Sequence, residues 1–188
     1  MNTRQYRDKL WPAYVDYCRS VSLRQMAINV ETAALLWYEC DAIKARSACD
    51  LGSGFTSYVL ARYAAEAGHP VSCTSVDDEV EWLDRSAAFI RRHRMTVDKM
   101  VSYDTWVDGG DTYDVIIHDF NSGETRNRTM WEVAARLNPG GVLIFDDMQN
   151  EGHRDEMTKV SDAYGWPLID VHDVTTDETH RYAGMVRA

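Results

Sequence analysis

The sequence predicts an α/β fold, a doubly wound and mostly parallel sheet preceded by N-terminal helices. Two observations carry this prediction. From residue 47 onward, short apolar runs alternate with amphipathic segments of helical period, which is the pattern of βαβ units. The chain, with 188 residues of which 45% are hydrophobic, is also long enough to bury the core that such a sheet requires. We therefore divide it into an N-terminal helical extension, residues 1–46, and an α/β domain, residues 47–188.

The N-terminal extension has helical periodicity. Leu10, Tyr14 and Tyr17 recur at helical spacing, and Ser22 is a candidate N-cap for a second helix that includes Leu36 and Trp37. The aromatic side chains of these helices are candidates for the cover of a substrate pocket. Core packing accounts for them equally well.

Seven apolar runs are predicted as strands. Five of them alternate with helices, at residues 48–51, 71–76, 100–103, 115–117 and 142–145. The last two, at 167–174 and 182–186, are joined by the polar stretch DVTTDETHR rather than by a helix, which predicts an antiparallel pair that closes the sheet. Candidate caps for the intervening helices are Thr56 or Ser57, Asp77 or Asp78, and Asn121 or Ser122.

Composition and charge exclude several classes of function. The formal net charge of −10 would repel phosphate backbones, which argues against a nucleic-acid partner. The sequence has neither a signal-like apolar core at its N-terminus nor an apolar run of membrane-spanning length, so we expect a cytoplasmic protein without membrane association. The 4 cysteines form no Cys-x-x-Cys pair, which argues against a zinc site or a disulfide framework.

The stretch DLGSGFTS, residues 50–57, predicts a nucleoside cofactor site. At the turn between the first strand and the first helix, Gly52 and Gly54 let the backbone approach a ligand closely. The second strand ends in SVDDE, where the carboxylate of Asp77 can accept hydrogen bonds from both hydroxyls of a ribose, or where it or Asp78 can cap a helix.

Asp50 distinguishes between nucleoside cofactors. The fingerprint of dinucleotide enzymes has a third small residue, usually glycine, three positions after the second glycine, where this chain has Ser57. A carboxylate beside a pyrophosphate would be repelled, whereas a carboxylate beside the ammonium and sulfonium of S-adenosylmethionine is favourable. The sequence therefore favours S-adenosylmethionine over NAD.

From about residue 48 to residue 145 the chain resembles the class I S-adenosylmethionine-dependent methyltransferases. The resemblance rests on the DLGSG turn, on Asp77, on the run YDVIIHDF and on LNPGGVLIFDD. It implies a Rossmann-like sheet of seven strands with an antiparallel C-terminal strand. It also implies that Asp104 or Thr105 lies near the adenine, although a solvated loop acid is an equally good account of Asp104. The candidate cofactor-binding residues are Asp50, Gly52, Ser53, Gly54, Thr56, Ser57, Asp77, Asp78, Asp104, Thr105 and Asp119.

Three acids follow the fourth and fifth strands. Their carboxylates repel one another unless a cation joins them, and oxygen ligands suit Mg²⁺ or a similar divalent ion. This pattern resembles the catechol O-methyltransferase-like branch, in which Asp119, Asp146 and Asp147 would bind a metal that orients a hydroxyl substrate. The branch has a further catalytic Lys or equivalent, but residues 120–128 contain Arg126 and Arg128 and no Lys.

A metal-free alternative assigns catalysis to one residue at the end of the fourth strand. Asp119 or His118 would then be the general base, and Asp146 and Asp147 would only end a strand and cap a helix. The unperturbed pKa of histidine suits proton abstraction, but a histidine at the end of a buried strand is more often a core residue.

The resemblance predicts a methyltransferase that acts on a small molecule, at a hydroxyl oxygen. HDFNSG lacks the two prolines of DNA amino-methylating enzymes, and the chain has no Pro-Cys nucleophile of the cytosine C5 type. The alternatives are an inactive methyltransferase-like binding or scaffold protein and an NAD-dependent oxidoreductase. Small enzymes of this type often pair as dimers, so a homodimer is among the expected states.

Overall fold

The structure is a computed structural model, and it describes residues 1–120 and 123–188. Its strands are β1 (Ser47–Leu51), β2 (Ser72–Asp77), β3 (Lys99–Ser102), β4 (Tyr113–His118), β5 (Leu137–Phe145), β6 (Leu168–Ile169) and β7 (Gly184–Arg187). Its helices are α1 (Arg4–Ser20), α2 (Val30–Ile43), α3 (Phe55–Glu66), α4 (Val80–Arg92), α5 (Tyr103–Asp108), α6 (Gly123–Ala134), α7 (Glu151–Tyr164) and α8 (His172–Thr175).

The strands form one seven-stranded sheet in the order β3-β2-β1-β4-β5-β7-β6. The first five strands in this order are parallel, and β7 is antiparallel to both of its neighbours. The predicted fold class is therefore confirmed. The strand order reverses between β1 and β4, and a crevice at the carboxyl ends of the strands is expected at such a switch point.

The core lies on both faces of the sheet. Helices α1, α2, α3 and α4 contribute buried apolar side chains to one face, and α5, α6 and α7 contribute to the other. Most aromatic rings of the N-terminal helices are packed in this core, with Trp11 exposed by 40%. No helix of the described part of the chain is long and apolar enough to cross a membrane.

Three predicted helix starts differ from the structure. Helix α2 is capped by Asn29, whose Oδ1 accepts a hydrogen bond from Thr32 N at 2.7 Å, and not by Ser22, because residues 21–29 form a non-helical connection. Helix α3 begins after Gly54, before either predicted cap. Helix α4 begins after Glu79, whose N–H donates to Asp77 Oδ1 at 2.9 Å. Asn121 and Ser122, the predicted caps of α6, lie outside the described residues.

Two further connections differ from the prediction. The third strand ends at Ser102, and a short helix, α5, occupies the segment that was expected to be a loop. The strand predicted at 167–174 is confined to the two residues of β6, and one helical turn, α8, begins within that range and continues into the polar connection to β7. Both helices are too short to show a periodic pattern in the sequence.

Candidate functional site

A cavity of about 270 Å³ lies at the carboxyl ends of β1, β2, β4 and β5, where the strand order reverses. Part of its wall comes from the α1 to α2 connection, residues 22–28, which we call the roof segment. The wall is formed by Tyr17, Ser22, Gln25, Met26, Ala27, Ile28, Gly52, Ser53, Gly54, Phe55, Thr56, Asp77, Trp82, Asp119, Arg126, Asp146, Asp147 and Arg181.

Residues 52–54, the glycine turn, lie between β1 and α3. Gly52 has φ +103°, and a Cβ atom there would lie 2.0 Å from the carbonyl oxygen of Asp119. The turn is drawn against the end of β4 in this way because Asp119 N donates to Leu51 O at 2.7 Å. Glycine is therefore required at position 52 both by conformation and by the close approach of β4.

Asp77 links the end of β2 to the glycine turn. Its Oδ2 accepts hydrogen bonds from Ser53 N and Ser53 Oγ, each at 2.7 Å. With the bond from Glu79 N to Oδ1, three of about four acceptor positions of the carboxylate are in use. Asp77 faces the cavity with one position left, and burial raises its pKa. The neighbouring Asp78 is exposed and is not part of the wall.

Asp50 lies beneath the turn rather than in the cavity wall. Its Oδ2 accepts from Thr56 Oγ1 at 2.9 Å, from Ser57 Oγ at 2.8 Å and from Ser75 Oγ at 3.2 Å. Burial raises its pKa to about 7, against the lowering effect of these bonds. Asp50 therefore fixes the first turn of α3, and its contact with the cation of a bound cofactor stays a prediction. Thr56 reaches the wall and Ser57 does not.

Three other predicted site residues lie away from the cavity. Asp104 and Thr105 are exposed in the first turn of α5 and do not contribute to the wall. His118 is buried, with Nε2 at 2.9 Å from Thr129 Oγ1, and its pKa is lowered to about 3 by burial and then by Arg126. The catalytic assignment to His118 is not supported, because its ring is buried against Thr129 and does not reach the cavity wall.

Asp119, Asp146 and Asp147 form an acid cluster in the wall. One carboxylate oxygen from each lies within 4.8 Å of the others. Asp147 has φ +58°, a strained backbone conformation for a residue with a side chain. Burial, followed by Asp147, raises the pKa of Asp146 to about 6, and its Oδ1 is buried without a hydrogen-bond partner among the described residues.

Arg126 of α6 is the cation of this cluster. Its Nη2 donates to Asp119 Oδ1 at 2.6 Å, its Nη1 donates to Asp147 Oδ2 at 2.7 Å, and its Nε donates to Phe120 O. Its side chain is only 8% exposed. Two of the three predicted metal ligands are therefore engaged by a guanidinium, so the donor set does not fit a divalent ion in this arrangement.

Arg181, just before β7, holds the roof segment over the cavity. Its Nε donates to Asp177 Oδ2 at 3.0 Å and its Nη1 donates to Ala27 O at 3.0 Å. Asn29 Nδ2 donates a hydrogen bond to Arg181 O at 3.5 Å. One side of the cavity is thus lined by a segment that belongs to the N-terminal extension.

Comparison with known proteins identifies the family. Residues 49–148, more than half of the chain, match the family model described as "Methyltransferase domain". The chain belongs to the methyltransferase-domain family. The matched segment contains the glycine turn, Asp77 and the acid cluster, and it confirms the resemblance predicted from the sequence. No curated protein sequence matches this methyltransferase-domain chain.

Solved structures share the fold of this methyltransferase-domain protein. The O-methyltransferase TomG from Streptomyces achromogenes, in complex with SAM, superposes with a TM-score of 0.67 at 15% identity, over 95% of this chain and 87% of TomG. Cofactor-bound Rv0187 from MTB superposes with a TM-score of 0.73 at 15% identity, over 95% of this chain and 88% of Rv0187. An O-methyltransferase from Bacillus cereus, in complex with SAH, gives 0.66 at 12% identity, over 97% and 90%. These identities are low, so the likeness shows a common fold.

The predicted site residues omit ten residues of the methyltransferase's cavity wall: five residues of the roof segment, together with Tyr17, Phe55, Trp82, Arg126 and Arg181. Trp82 in the first turn of α4 follows the SVDDE stretch closely enough to have been a candidate. Arg126 was considered only because the stretch 120–128 lacks the lysine that the resembled branch has there, and no contact with the acids was predicted for it. Arg181 gave no signal, because its relation to the roof segment joins parts of the chain more than 150 residues apart.

Proposed function

We propose that this chain is an S-adenosylmethionine-dependent methyltransferase that methylates a hydroxyl oxygen of a small molecule. The observation that carries the proposal is one cavity into which the glycine turn, Asp77 and the acid cluster all open. The first two features suit a nucleoside with a charged amino-acid tail, and the third suits a polar acceptor.

The cofactor half of the proposal rests on the glycine turn and Asp77. The N–H groups of residues 52–54 are bonded within the protein, to Val76 O, Asp77 Oδ2 and Ser57 Oγ. The turn therefore offers a ligand its bare backbone and the N-terminal end of α3, where Phe55 and Thr56 line the cavity. The carboxylate of Asp77 has one acceptor position left for a ribose hydroxyl. A second position becomes free if Ser53 Oγ stops donating to Oδ2. When bound, S-adenosylmethionine supplies a methyl group activated by the sulfonium.

The acceptor half rests on the acid cluster and the roof segment. Asp119 and Asp146 line the cavity and can accept the proton of a hydroxyl as it is methylated. Met26, Ile28 and Trp82 give the same cavity an apolar side against which a ring or chain can lie. Arg181 holds the roof segment at one side of the cavity, and alignment of the two reactants is the main task left to the protein.

The size of the site favours a small acceptor. The cavity of about 270 Å³ lies just below the range of ligand clefts, about 300–1,000 Å³. The net charge of −10 disfavours polyanions such as nucleic acids.

Turnover with matched acceptors tests this proposal. We expect the protein to form S-adenosylhomocysteine from S-adenosylmethionine when it is given small phenols or alcohols, and not when it is given the matching amines. Asp119→Asn should lower this rate by roughly 100-fold, the usual contribution of a positioned proton acceptor. Product from amines alone would contradict oxygen as the target, and tight cofactor binding with no product from any acceptor would favour the scaffold alternative.

A further inference from the structure

We propose that Arg126 is the resident cation of the acid cluster, in the position where the resemblance implied a divalent ion, and that the site functions without a metal. The second part rests on the proposed methyl transfer. The first part concerns only the chain's own residues and can be measured without any cofactor or acceptor.

The contacts of Arg126 use all three sides of its guanidinium. Two carboxylates and one backbone carbonyl accept from Nη1, Nη2 and Nε, and each carboxylate bond has the length of a charge-assisted hydrogen bond. The bond to Phe120 O fixes the plane of the group, because it ties the side chain to the backbone next to Asp119. The guanidinium of Arg126 is therefore fixed within the cluster by three hydrogen bonds.

The acid cluster offers a divalent ion few carboxylates that are free of a competing partner. Asp119 is bound to Arg126, and Asp147 is bound to both Arg126 and Gln149 Nε2, the latter at 2.9 Å. Among the described acids of the cluster, this leaves Asp146 as the one carboxylate without a hydrogen bond from another side chain. Mg²⁺ is usually bound through one or two carboxylates with waters completing its octahedron, and Ca²⁺ takes about six to eight oxygen ligands. Here one of the three carboxylates is free of a competing side chain, and a bonded guanidinium holds the other two.

Charge makes the two cations mutually exclusive. An arginine side chain stays protonated in proteins, so it cannot become neutral to admit a metal. A divalent ion within reach of all three carboxylates would lie beside a buried positive charge, and the repulsion between them is weakly screened there. A metal could bind only after the guanidinium had left the cluster and given up its three acceptors.

A titration of the chelator-treated protein with Mn²⁺ tests this inference. Binding is measured as the loss of the electron paramagnetic resonance signal of the free ion. We expect the wild-type protein to show no saturable site up to about 1 mM, the range of weak protein sites. Arg126→Gln removes the cation bonded to two of the three carboxylates and leaves Arg181 as the one nearby arginine in the cavity wall. This variant should therefore gain one site with an affinity roughly tenfold higher or more. Arg128→Gln on the exposed side of the same helix is the matched control and should behave as the wild type.

Further variants keep the test decisive. If the site created by Arg126→Gln is the acid cluster, adding Asp146→Asn should abolish it. Circular dichroism establishes whether Arg126→Gln is folded. If the variant is unfolded, two measurements on the wild-type protein still test whether it binds a metal: the Mn²⁺ titration and the effect of Mg²⁺ on the melting temperature. A resident ion would raise that temperature.

Three results would overturn the inference. One is a stoichiometric, tight Mn²⁺ site in the wild-type protein that Asp146→Asn or Asp147→Asn removes. Another is a clear rise in the wild-type melting temperature with Mg²⁺. The third is a folded Arg126→Gln variant that binds no Mn²⁺, since Arg126 would then not be what excludes the ion. Failure of S-adenosylmethionine to bind would contradict the proposed function and leave these results unaffected.

Discussion

Replacing Gly52 by alanine is expected to destabilise the protein by about 4 kcal/mol, from the strain of a side chain at positive φ together with overpacking. The new Cβ would meet the backbone just past the end of β4, at 2.0 Å from Asp119 O and 2.9 Å from Phe120 N. Backbone atoms anchored to a central strand cannot move aside as a flexible side chain can. Urea unfolding followed by circular dichroism measures the loss.

Gly68→Ala is the matched control for Gly52→Ala. Gly68 also has positive φ, +70°, but a Cβ atom there would meet nothing within 4 Å. Its loss should therefore be limited to about 1–2 kcal/mol for the backbone conformation. Equal losses in the two variants would show that conformation alone matters and that the close approach of β1 and β4 is not what requires glycine.

Replacing Asp77 by alanine is expected to weaken the binding of S-adenosylmethionine by about 1.5–3 kcal/mol, or roughly 10- to 150-fold. The variant loses the acceptor for a ribose hydroxyl and also the two bonds that hold Ser53 in the turn. Calorimetric titration measures the affinity, and a melting curve establishes that the variant is folded.

Two variants separate these causes. Asp78→Ala alters the adjacent exposed acid and should leave the affinity unchanged. Ser53→Ala removes the hydroxyl bond to Asp77 and leaves the ribose acceptor in place, so its effect should be smaller than that of Asp77→Ala. If Asp77→Ala retains normal affinity, the ribose role belongs to Asp78 or Glu79. If Ser53→Ala has the same effect as Asp77→Ala, the role of Asp77 is to hold the turn.

The sheet and the glycine turn were accessible from the sequence because both depend on local patterns. Alternation of strands and helices predicts parallel pairing, and a pair of glycines at a strand end has few structural explanations. The helix-poor connection near the C-terminus predicted the antiparallel strand. Helix α5 was missed because six residues are too few for a helical period to emerge.

The site was predicted less completely, because the roles of its residues depend on contacts between distant segments. The sequence indicated that Asp50 lies next to the glycines, but not that Ser75 of β2 joins Thr56 and Ser57 to hold its carboxylate away from the cavity. It placed three acids at one edge of the sheet. That Arg126 reaches two of them depends on where α6 begins and how it packs, which no spacing rule specifies.

The central claim is that the glycine turn and Asp77 bind a sulfonium nucleoside. Calorimetric titration of the wild-type protein with S-adenosylmethionine, S-adenosylhomocysteine and NAD tests it most directly, with chelator present throughout. We expect both sulfur nucleosides to bind with one-to-one stoichiometry and NAD not to bind. Binding of NAD in their place, or of none of the three, would contradict the claim.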